Sequence, residues 1–389
     1  MGLSAGKVSL YSGFILSIVI FMEYIICHIT TAHNADDIRI FYKECLSLSK
    51  VINYKVKICA PGSIPSDNNV IHYRISKTNS FRPIRFIHSQ FIALKLIVKI
   101  KSDVWHIHDP ELLPIATLLI LMKRKVIWDS HEDYFKQFSS SVDYRNYIPN
   151  YLKPIVRTII GLLLNYIDRK AAGIICATAS IADKYQNKNT IIVGNEAILS
   201  DFGFCQPNFK NMSVLFIGQP GPSLCYAEIV EAISNIPELK LIVAWKELDK
   251  NLFDYSAKTL KHRFDYVGWL DRKSLSATIS GSSIGLLTYK NHPNHTDNKP
   301  NKFYEFCAAG LPILATPTES NIDLIKKSMS GVLSRGFDSK SLELALLEMI
   351  SSQQVWLNYS NSAKNWVHQN GSWSKSESEL LDLYRRILQ

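Results

Sequence analysis

Short apolar segments rich in isoleucine and valine alternate with longer amphipathic segments along the chain. Such alternation is typical of parallel β-sheets whose two faces are both covered by helices. In the first half, the apolar runs predict strands over residues 24–30, 55–60, 70–74, 103–107, 125–129, 173–178 and 190–193. Apolar residues at three-to-four spacing predict the intervening helices over residues 36–50, 85–101, 110–123 and 151–172.

A second series of the same kind begins at residue 213, with predicted strands at 213–218, 240–244, 265–268, 283–289 and 312–315. Its helices are predicted over residues 223–235, 271–280, 302–309 and 339–351. Between the two series, Gly203 and Pro207 interrupt the pattern with loop chemistry. We therefore expect an α/β protein with two Rossmann-like, doubly wound domains that face each other across a cleft, residues 22–195 and 210–370. The last amphipathic segment, residues 372–389, is expected to form a helix that packs back on the first domain.

The composition is that of a folded protein, because 47% of the 389 residues are hydrophobic and 20% are charged. The formal charge of +10 favours anionic partners, such as a nucleoside diphosphate or an anionic membrane surface. The basic residues are scattered and form no nucleic-acid motif, so no nucleic-acid partner is expected. The seven cysteines include no C-x-x-C pair, which predicts reduced, buried thiols in a cytoplasmic protein.

The N-terminal segment has two interpretations. Residues 11–29 are largely apolar and carry a single charge, Glu23, so that they could form a membrane anchor. Alternatively, residues 24–30 are the first buried strand and residues 1–21 form a loose extension. We favour the strand, because a membrane span could not also supply a strand to a sheet.

The most specific segment is DNKPNKFYEFCAAGLPILA, residues 297–315, in which a loop leads into a short helix. A helix N-terminus at the carboxyl edge of parallel strands is suited to binding phosphate. Lys302 can offset diphosphate charge, and Glu305 can accept hydrogen bonds from both hydroxyls of a ribose. A departing nucleoside diphosphate accumulates negative charge, so these groups would assist its departure. The alternative is that Glu305 only caps the helix.

This segment closely resembles the donor-binding motif of GT-B-fold glycosyltransferases, particularly the retaining enzymes of family 4, also called group 1. In that family two glutamates eight positions apart contact the donor, the first at the sugar and the second at the ribose. The second matches Glu305, whereas the first falls on Asp297, which is one methylene shorter. The resemblance implies that Asp297 and Lys302 are catalytic and that Asn301 and Glu305 bind the donor.

The segment DVWHIHDPELLP, residues 103–114, ends a predicted strand in His108 and Asp109. Polar residues at the carboxyl edge of a sheet belong where substrate binds. The segment resembles the HxHDPELLP form of the same family, which implies that His108 is catalytic and lies beside the donor sugar in the cleft. Asp109 is expected on the acceptor side, and His106 is interpreted as a packed core histidine.

Two further segments place polar residues after strands. WDSHEDY, residues 128–134, resembles the DxHE segment of the family and puts His131 and Glu132 at the edge of the cleft. They could orient acceptor hydroxyls or act as a base, although a capped helix start also explains them. The segment after the first strand contributes His33 and Arg39, and Arg39 is a candidate phosphate ligand. No helix carries His-x-x-x-His spacing, so no metal is expected.

The sequence departs from the family pattern after the first strand of the second domain. Family members often carry an arginine and a lysine there, whereas this chain has GQPGPS at residues 218–223. Diphosphate binding then depends on Lys302 and on these further candidates of the second domain: Gly218, Gln219, Gly221, Ser223 and Arg272.

The resemblance implies a glycosyltransferase of cell-surface polysaccharide synthesis that moves a sugar from a nucleoside diphosphate, UDP before GDP, to a lipid-linked or glycan acceptor with retention. No cofactor is expected beyond this co-substrate. The segment 134–170 is either a core helix with a solvated rim or an interfacial element that holds a cytoplasmic protein on the inner face of the plasma membrane. Two other functions stay open: a nucleotide-sugar epimerase of GT-B fold, and a non-catalytic nucleotide-sugar-binding partner protein.

Overall fold

The strands of this computed structural model form two separate parallel sheets. The structure describes residues 22–66, 69–77, 82–131, 149, 151–205, 209, 212–291 and 299–389. The first sheet has seven strands and the second has six. Each is covered by helices, with apolar clusters between sheet and helices. This arrangement confirms the doubly wound α/β class that the alternating pattern predicts.

The first sheet has the strand order β3-β2-β1-β4-β5-β6-β7, and all its neighbouring strands are parallel. Its strands are mostly apolar and buried, as expected for a sheet covered on both faces. The strands are β1 (Tyr24–Ile29), β2 (Tyr54–Ala60), β3 (Ile71–Arg74), β4 (Val104–Ile107), β5 (Lys125–Ser130), β6 (Gly173–Cys176) and β7 (Thr190–Ile192).

The helix after β1 is not the regular α-helix expected over residues 36–50. It is a π-helix, Ile38–Cys45, that continues as the short α-helix α1, Leu46–Ser49. Asp37 caps its start by accepting hydrogen bonds from two backbone amides. The other helices of this half are α2 (Arg82–Lys99), α3 (Leu113–Leu121), α4 (Lys153–Lys170) and α5 (Ala179–Ala182), with 3₁₀ turns at Pro110–Leu112 and Leu199–Asp201.

The second sheet has the order β10-β9-β8-β11-β12-β13, in which the strand order reverses next to β8. Its strands are β8 (Met212–Ile217), β9 (Leu239–Ala244), β10 (Phe264–Gly268), β11 (Ile284–Leu287), β12 (Ile313–Ala315) and β13 (Gly331–Leu333). Its helices are α6 (Tyr226–Ser234), α7 (Lys250–Leu260), α8 (Arg272–Ser280), α9 (Asn301–Ala309), α10 (Glu319–Ser328), α11 (Ser339–Ile350) and α12 (Gln353–Asn370), with 3₁₀ turns at Pro222–Leu224 and Lys261–Arg263.

The last helix, α13 (Trp373–Leu388), lies against the first sheet rather than the second. Leu383 and Tyr384 belong to the same apolar cluster as the residues of β1 and β2. Gly173 on β6 allows this approach, because a Cβ built there would lie 3.0 Å from methyl carbons of Leu383 and Ile387. The chain therefore crosses between the two sheets twice, before β8 and after α12.

The N-terminal apolar segment contributes strand β1, as we expected when we favoured a strand over a membrane anchor. Residues 1–21 lie outside the described residues. Among the helices that the structure describes, none is both long and apolar enough for a bilayer crossing. All seven cysteines are described, buried and unpaired, as predicted.

Candidate functional site

Asp109 organises the carboxyl edge of the first sheet, at the loop that follows β4. Its carboxylate accepts hydrogen bonds from the hydroxyl of Thr30, at 3.1 Å, and from the amide of Thr31, at 2.5 Å. The imidazole of His33 lies 2.9 Å from the same carboxylate. Burial alone would raise the pKa of Asp109, but the hydrogen bonds and the charge of His33 outweigh it and hold the pKa below its usual value. Asp109 is therefore ionised, and it fixes the loop after β1.

His33 and His131 form the solvent-facing part of this edge. The His33 side chain is 33% exposed and that of His131 is 18% exposed. Their ring centroids lie 5.0 Å apart in an edge-to-face arrangement. Burial alone would lower the pKa of His33, but the bond to Asp109 overrides it and raises the pKa to about 9. Burial lowers the pKa of His131 to about 4. The edge thus offers a charged donor beside a neutral imidazole.

His108 is not at the surface of the cleft, contrary to what the resemblance implies. Its imidazole is fully buried, with Nδ1 3.0 Å from Asp129 Oδ2 and Nε2 2.9 Å from Nδ1 of His28. The residue continues the direction of β4 and points to the same side as His106, beneath the π-helix. Sequence spacing could not predict this burial, because it depends on which element covers that face of the sheet.

Arg39 is likewise turned inward, so its guanidinium is not presented to a phosphate. It makes a bidentate pair with Asp129, at 3.1 and 2.9 Å, and donates to the carbonyl of Val193 at 2.7 Å. All three nitrogen atoms of the planar guanidinium thus donate hydrogen bonds within the protein. These contacts do not fit the prediction of Arg39 as a phosphate ligand, and the residue ties the π-helix to β5 and to the segment that follows β7.

Lys302 lies on the first turn of α9, at the carboxyl edge of the second sheet. Its ammonium nitrogen donates to the carbonyl of Ile217, at 3.1 Å, and lies 4.7 Å from the centroid of the Tyr289 ring. Among the described residues, no carboxylate forms an ion pair with it. Burial lowers the pKa of Lys302 to about 7. The lysine thus stands next to the end of β8, where the strand order reverses and ligands bind in such sheets.

Glu305, one turn further along α9, is buried and ion-paired with Arg272. Arg272 also binds Asp201, at 3.0 and 2.9 Å, so that two carboxylates fix its guanidinium. The prediction that Arg272 contacts a diphosphate does not fit these contacts. The arginine instead orients Glu305, a role that sequence analysis missed because the two residues lie 33 positions apart in different helices.

The loop after β8 turns at Gly218, whose φ of +128° is readily accessible only to glycine. Gln219 and Ser223 are exposed, and Gly221 is half-buried. These backbone groups lie directly after Ile217, the residue that binds Lys302. Two predicted site residues, Asp297 and Glu132, lie outside the described residues.

Lys43 connects the two halves and was not among the predicted site residues. From the π-helix it donates to Oδ1 of Asn301, at 2.8 Å, and to the carbonyl of Asn195, at 3.0 Å. The amide of Asn195 in turn donates to the carbonyl of Lys299, at 2.9 Å. Burial lowers the pKa of Lys43 to about 8. The available signal for this contact was a lysine in a helix whose other buried residues include Ile40 and Phe41.

No protein-family model matches the chain. A curated relative, an uncharacterised glycosyltransferase of Methanocaldococcus jannaschii, is 22% identical over 188 residues, which are 46% of this chain and 47% of the relative. The match thus spans about half the length of that relative.

Solved structures cover nearly the whole chain. Sucrose-phosphate synthase from Thermosynechococcus elongatus superimposes with a TM-score of 0.71 at 14% identity, over 94% of this chain and 99% of the other. HepE of Anabaena, solved in complex with UDP-glucose, gives a TM-score of 0.66 at 10% identity, over 93% and 100% of the two chains. The chain therefore has the GT-B fold that the sequence resemblance implies.

Proposed function

We propose that this protein is a glycosyltransferase that moves a sugar from a nucleoside diphosphate to an acceptor. The observation that carries the proposal is the start of α9. There a lysine without a carboxylate partner among the described residues lies three positions before an oriented, buried glutamate. The N-terminus of α9 adds its partial positive charge at the same place. Lys302 would neutralise the departing diphosphate, and Glu305 would bind the ribose hydroxyls.

The donor we propose is a UDP-hexose, with GDP as the second choice of nucleotide. The complex of HepE with UDP-glucose supports a uridine nucleotide in this fold. With Arg272 committed to Glu305, the exposed backbone of the Gly218–Ser223 turn is the remaining diphosphate contact beside Lys302. Transfer with retention is part of the proposal, as the resemblance to the family 4 enzymes implies. Asp297 keeps its proposed contact with the donor sugar.

The acceptor side of the proposal uses the edge of the first sheet. His33 can donate a charged hydrogen bond, and His131 can accept one from a sugar hydroxyl. His108 lies one layer behind them, so we propose that it positions Asp129 and does not touch the donor. No cofactor takes part in the proposed transfer.

The acceptor is proposed to be lipid-linked, as in cell-surface polysaccharide synthesis. Helices α2 and α4 both pack on α3, and both expose large apolar side chains. Basic residues are interspersed with them, a combination that suits an anionic membrane surface. The side chains concerned are Ile84, Ile87, Phe91, Lys95, Ile155, Arg157, Ile159 and Leu162. We therefore propose peripheral binding at the inner face of the plasma membrane.

The test uses the purified full chain. Thermal stabilisation by UDP and by GDP identifies the nucleotide, and transfer from the matching nucleotide sugar to lipid-linked acceptors is then measured. Lys302→Ala and Glu305→Ala should abolish transfer while circular dichroism stays unchanged. If both variants keep full activity, the proposed donor site is wrong. Nuclear magnetic resonance of the nucleotide sugar distinguishes transfer from epimerisation, because an epimerase alters the donor without an acceptor.

A further inference from the structure

A layer of buried polar side chains lies inside the first domain, behind the edge that carries His33. His28 on β1 and His106 on β4 are direct neighbours in the sheet register, and His108 follows on the same face. Glu44 of the π-helix covers this face. All four side chains are fully buried, beside the buried ion pair of Arg39 and Asp129 and against apolar residues of the core. Buried imidazoles and carboxylates are costly unless each is paired or binds a metal.

The four side chains converge on one point. Glu44 Oε2 lies 4.0 Å from His28 Nδ1, 3.9 Å from His106 Nε2 and 4.0 Å from His108 Nε2. One donor atom from each of the four residues lies within 4.8 Å of all the others. A tetrahedral zinc ion with bonds of about 2.0–2.2 Å holds its ligand atoms about 3.4 Å apart. Side-chain shifts of about half an ångström would therefore bring the four atoms onto one ion.

The hydrogen bonding of His106 and His108 is what a metal site requires. Glu44 Oε1 lies 3.3 Å from Nε of Arg39, and the outer nitrogen of His28 has no hydrogen-bond partner among the described residues. Neither carboxylate oxygen of Glu44 has a hydrogen-bond partner among the described residues, and neither has Nε2 of His106. The opposite nitrogen of His106 lies 2.9 Å from the hydroxyl of Tyr384, and that of His108 lies 3.0 Å from Asp129. Metal-binding histidines characteristically make such an outer contact, which fixes the tautomer and directs the other nitrogen to the ion.

We infer that His28, Glu44, His106 and His108 form a zinc site of the closed, structural type. Three imidazoles and one carboxylate suit zinc and related transition ions, whereas Mg²⁺ and Ca²⁺ prefer oxygen ligands. The site is sealed from solvent, so all four ligands come from the protein and no position is open to substrate. No metal could be expected from the sequence, because the ligands come from three separate elements without a recognisable spacing.

The ion would fasten the π-helix to strands β1 and β4. Glu44 is adjacent in sequence to Lys43, the residue that reaches Asn301 at the start of α9. The inference does not depend on the proposed transfer, because metal content is measured without any substrate.

The test is the metal content of the full chain, purified without a polyhistidine tag from cells grown with added zinc. Elemental mass spectrometry should find about one equivalent of a transition metal per chain, with zinc predominant. The protein produced with cobalt instead should show the visible absorption of tetrahedral Co²⁺. Folded protein with no bound transition metal and no cobalt spectrum would overturn the inference. Another transition ion at one equivalent would support the site.

Variants assign the ligands. Glu44→Gln and His106→Gln should each lower metal occupancy by about tenfold or more. His72→Gln is the matched control, since this histidine of the same sheet lies outside the cluster and hydrogen-bonds the carbonyl of Ala60, at 2.9 Å. Its loss should leave the metal content unchanged. If the ligand variants do not fold, the elemental analysis and cobalt spectrum of the wild-type chain still decide. Full occupancy in a folded Glu44→Gln variant would contradict the assignment of Glu44.

Discussion

The protonation state of Lys302 should control the affinity of the protein for UDP. Its ammonium group is largely enclosed, with the carbonyl of Ile217 and the Tyr289 ring as neighbours, and burial lowers its pKa to about 7. A diphosphate attracts the protonated lysine and not the neutral amine. Binding must therefore raise the pKa of Lys302, and by linkage the affinity must fall as the pH rises above about 7.

The size of the effect follows from the protonated fraction. With a pKa of about 7, about half of the free protein carries a charged Lys302 at pH 7, and about 3% carries it at pH 8.5. If only the protonated form binds, the dissociation constant for UDP should increase about 15-fold over this interval. The terminal phosphate of UDP, with a pKa near 6, is already ionised there and adds little to the slope.

Isothermal titration calorimetry of UDP between pH 7 and 8.5 measures this slope directly. Lys302→Arg is the matched control, because a guanidinium stays charged throughout and its profile should be flat. Lys302→Met should bind weakly, and any slope that remains in it belongs to other groups, such as Lys43. A flat profile for the wild-type protein, or one equally steep in Lys302→Arg, would refute the reasoning.

Three further outcomes are expected. Arg272→Met leaves the buried carboxylate of Glu305 unpaired and should cost about 3 kcal/mol of unfolding free energy in urea, and a loss below about 1 kcal/mol would contradict the pairing. Gly173→Val places methyl groups against α13 and should lower the unfolding free energy in urea by about 1–3 kcal/mol. An unchanged unfolding free energy would mean that α13 shifts to accommodate the methyl groups at no cost. The double variant Phe91→Glu and Ile159→Glu should abolish sedimentation with anionic vesicles without reducing UDP binding, and unchanged sedimentation would exclude this face as the membrane contact.

The fold was predictable because parallel strands covered on both faces are continuous apolar runs. The predicted strands of both sheets are present, with shifts of a few residues at their ends. The strand β13 and the helices α5, α7, α10 and α12 were not predicted. β13 has only three residues and begins with Gly331, so its pattern is too short to recognise. Of these helices, α7, α10 and α12 are more polar on average than most of the predicted helices of the second domain, and their neighbours in that domain stabilise them.

The candidate site was only partly predictable from the sequence. Residues within one segment could be recognised together, whereas contacts between distant segments could not. The start of α9 is one contiguous segment, so its lysine and glutamate could be recognised together. Partnerships between distant residues, such as Arg272 with Glu305, depend on how separate helices pack. The burial of His108 could not be predicted for a similar reason. A residue that follows a strand is exposed or buried depending on which helix or loop covers that face of the sheet.

The π-helix explains why three charged residues can be buried together in the first domain. Hydrogen bonds from residue i to i+5 widen each turn, so that residues four and five positions apart share one face. Arg39, Lys43 and Glu44 have this spacing, and all three are buried. In a regular α-helix, Glu44 would be rotated away from the face of Arg39, and it could not point to the histidines while Arg39 reaches Asp129. The rare helix geometry therefore places one side chain in the polar layer of the sheet and its neighbour, Lys43, at the start of α9.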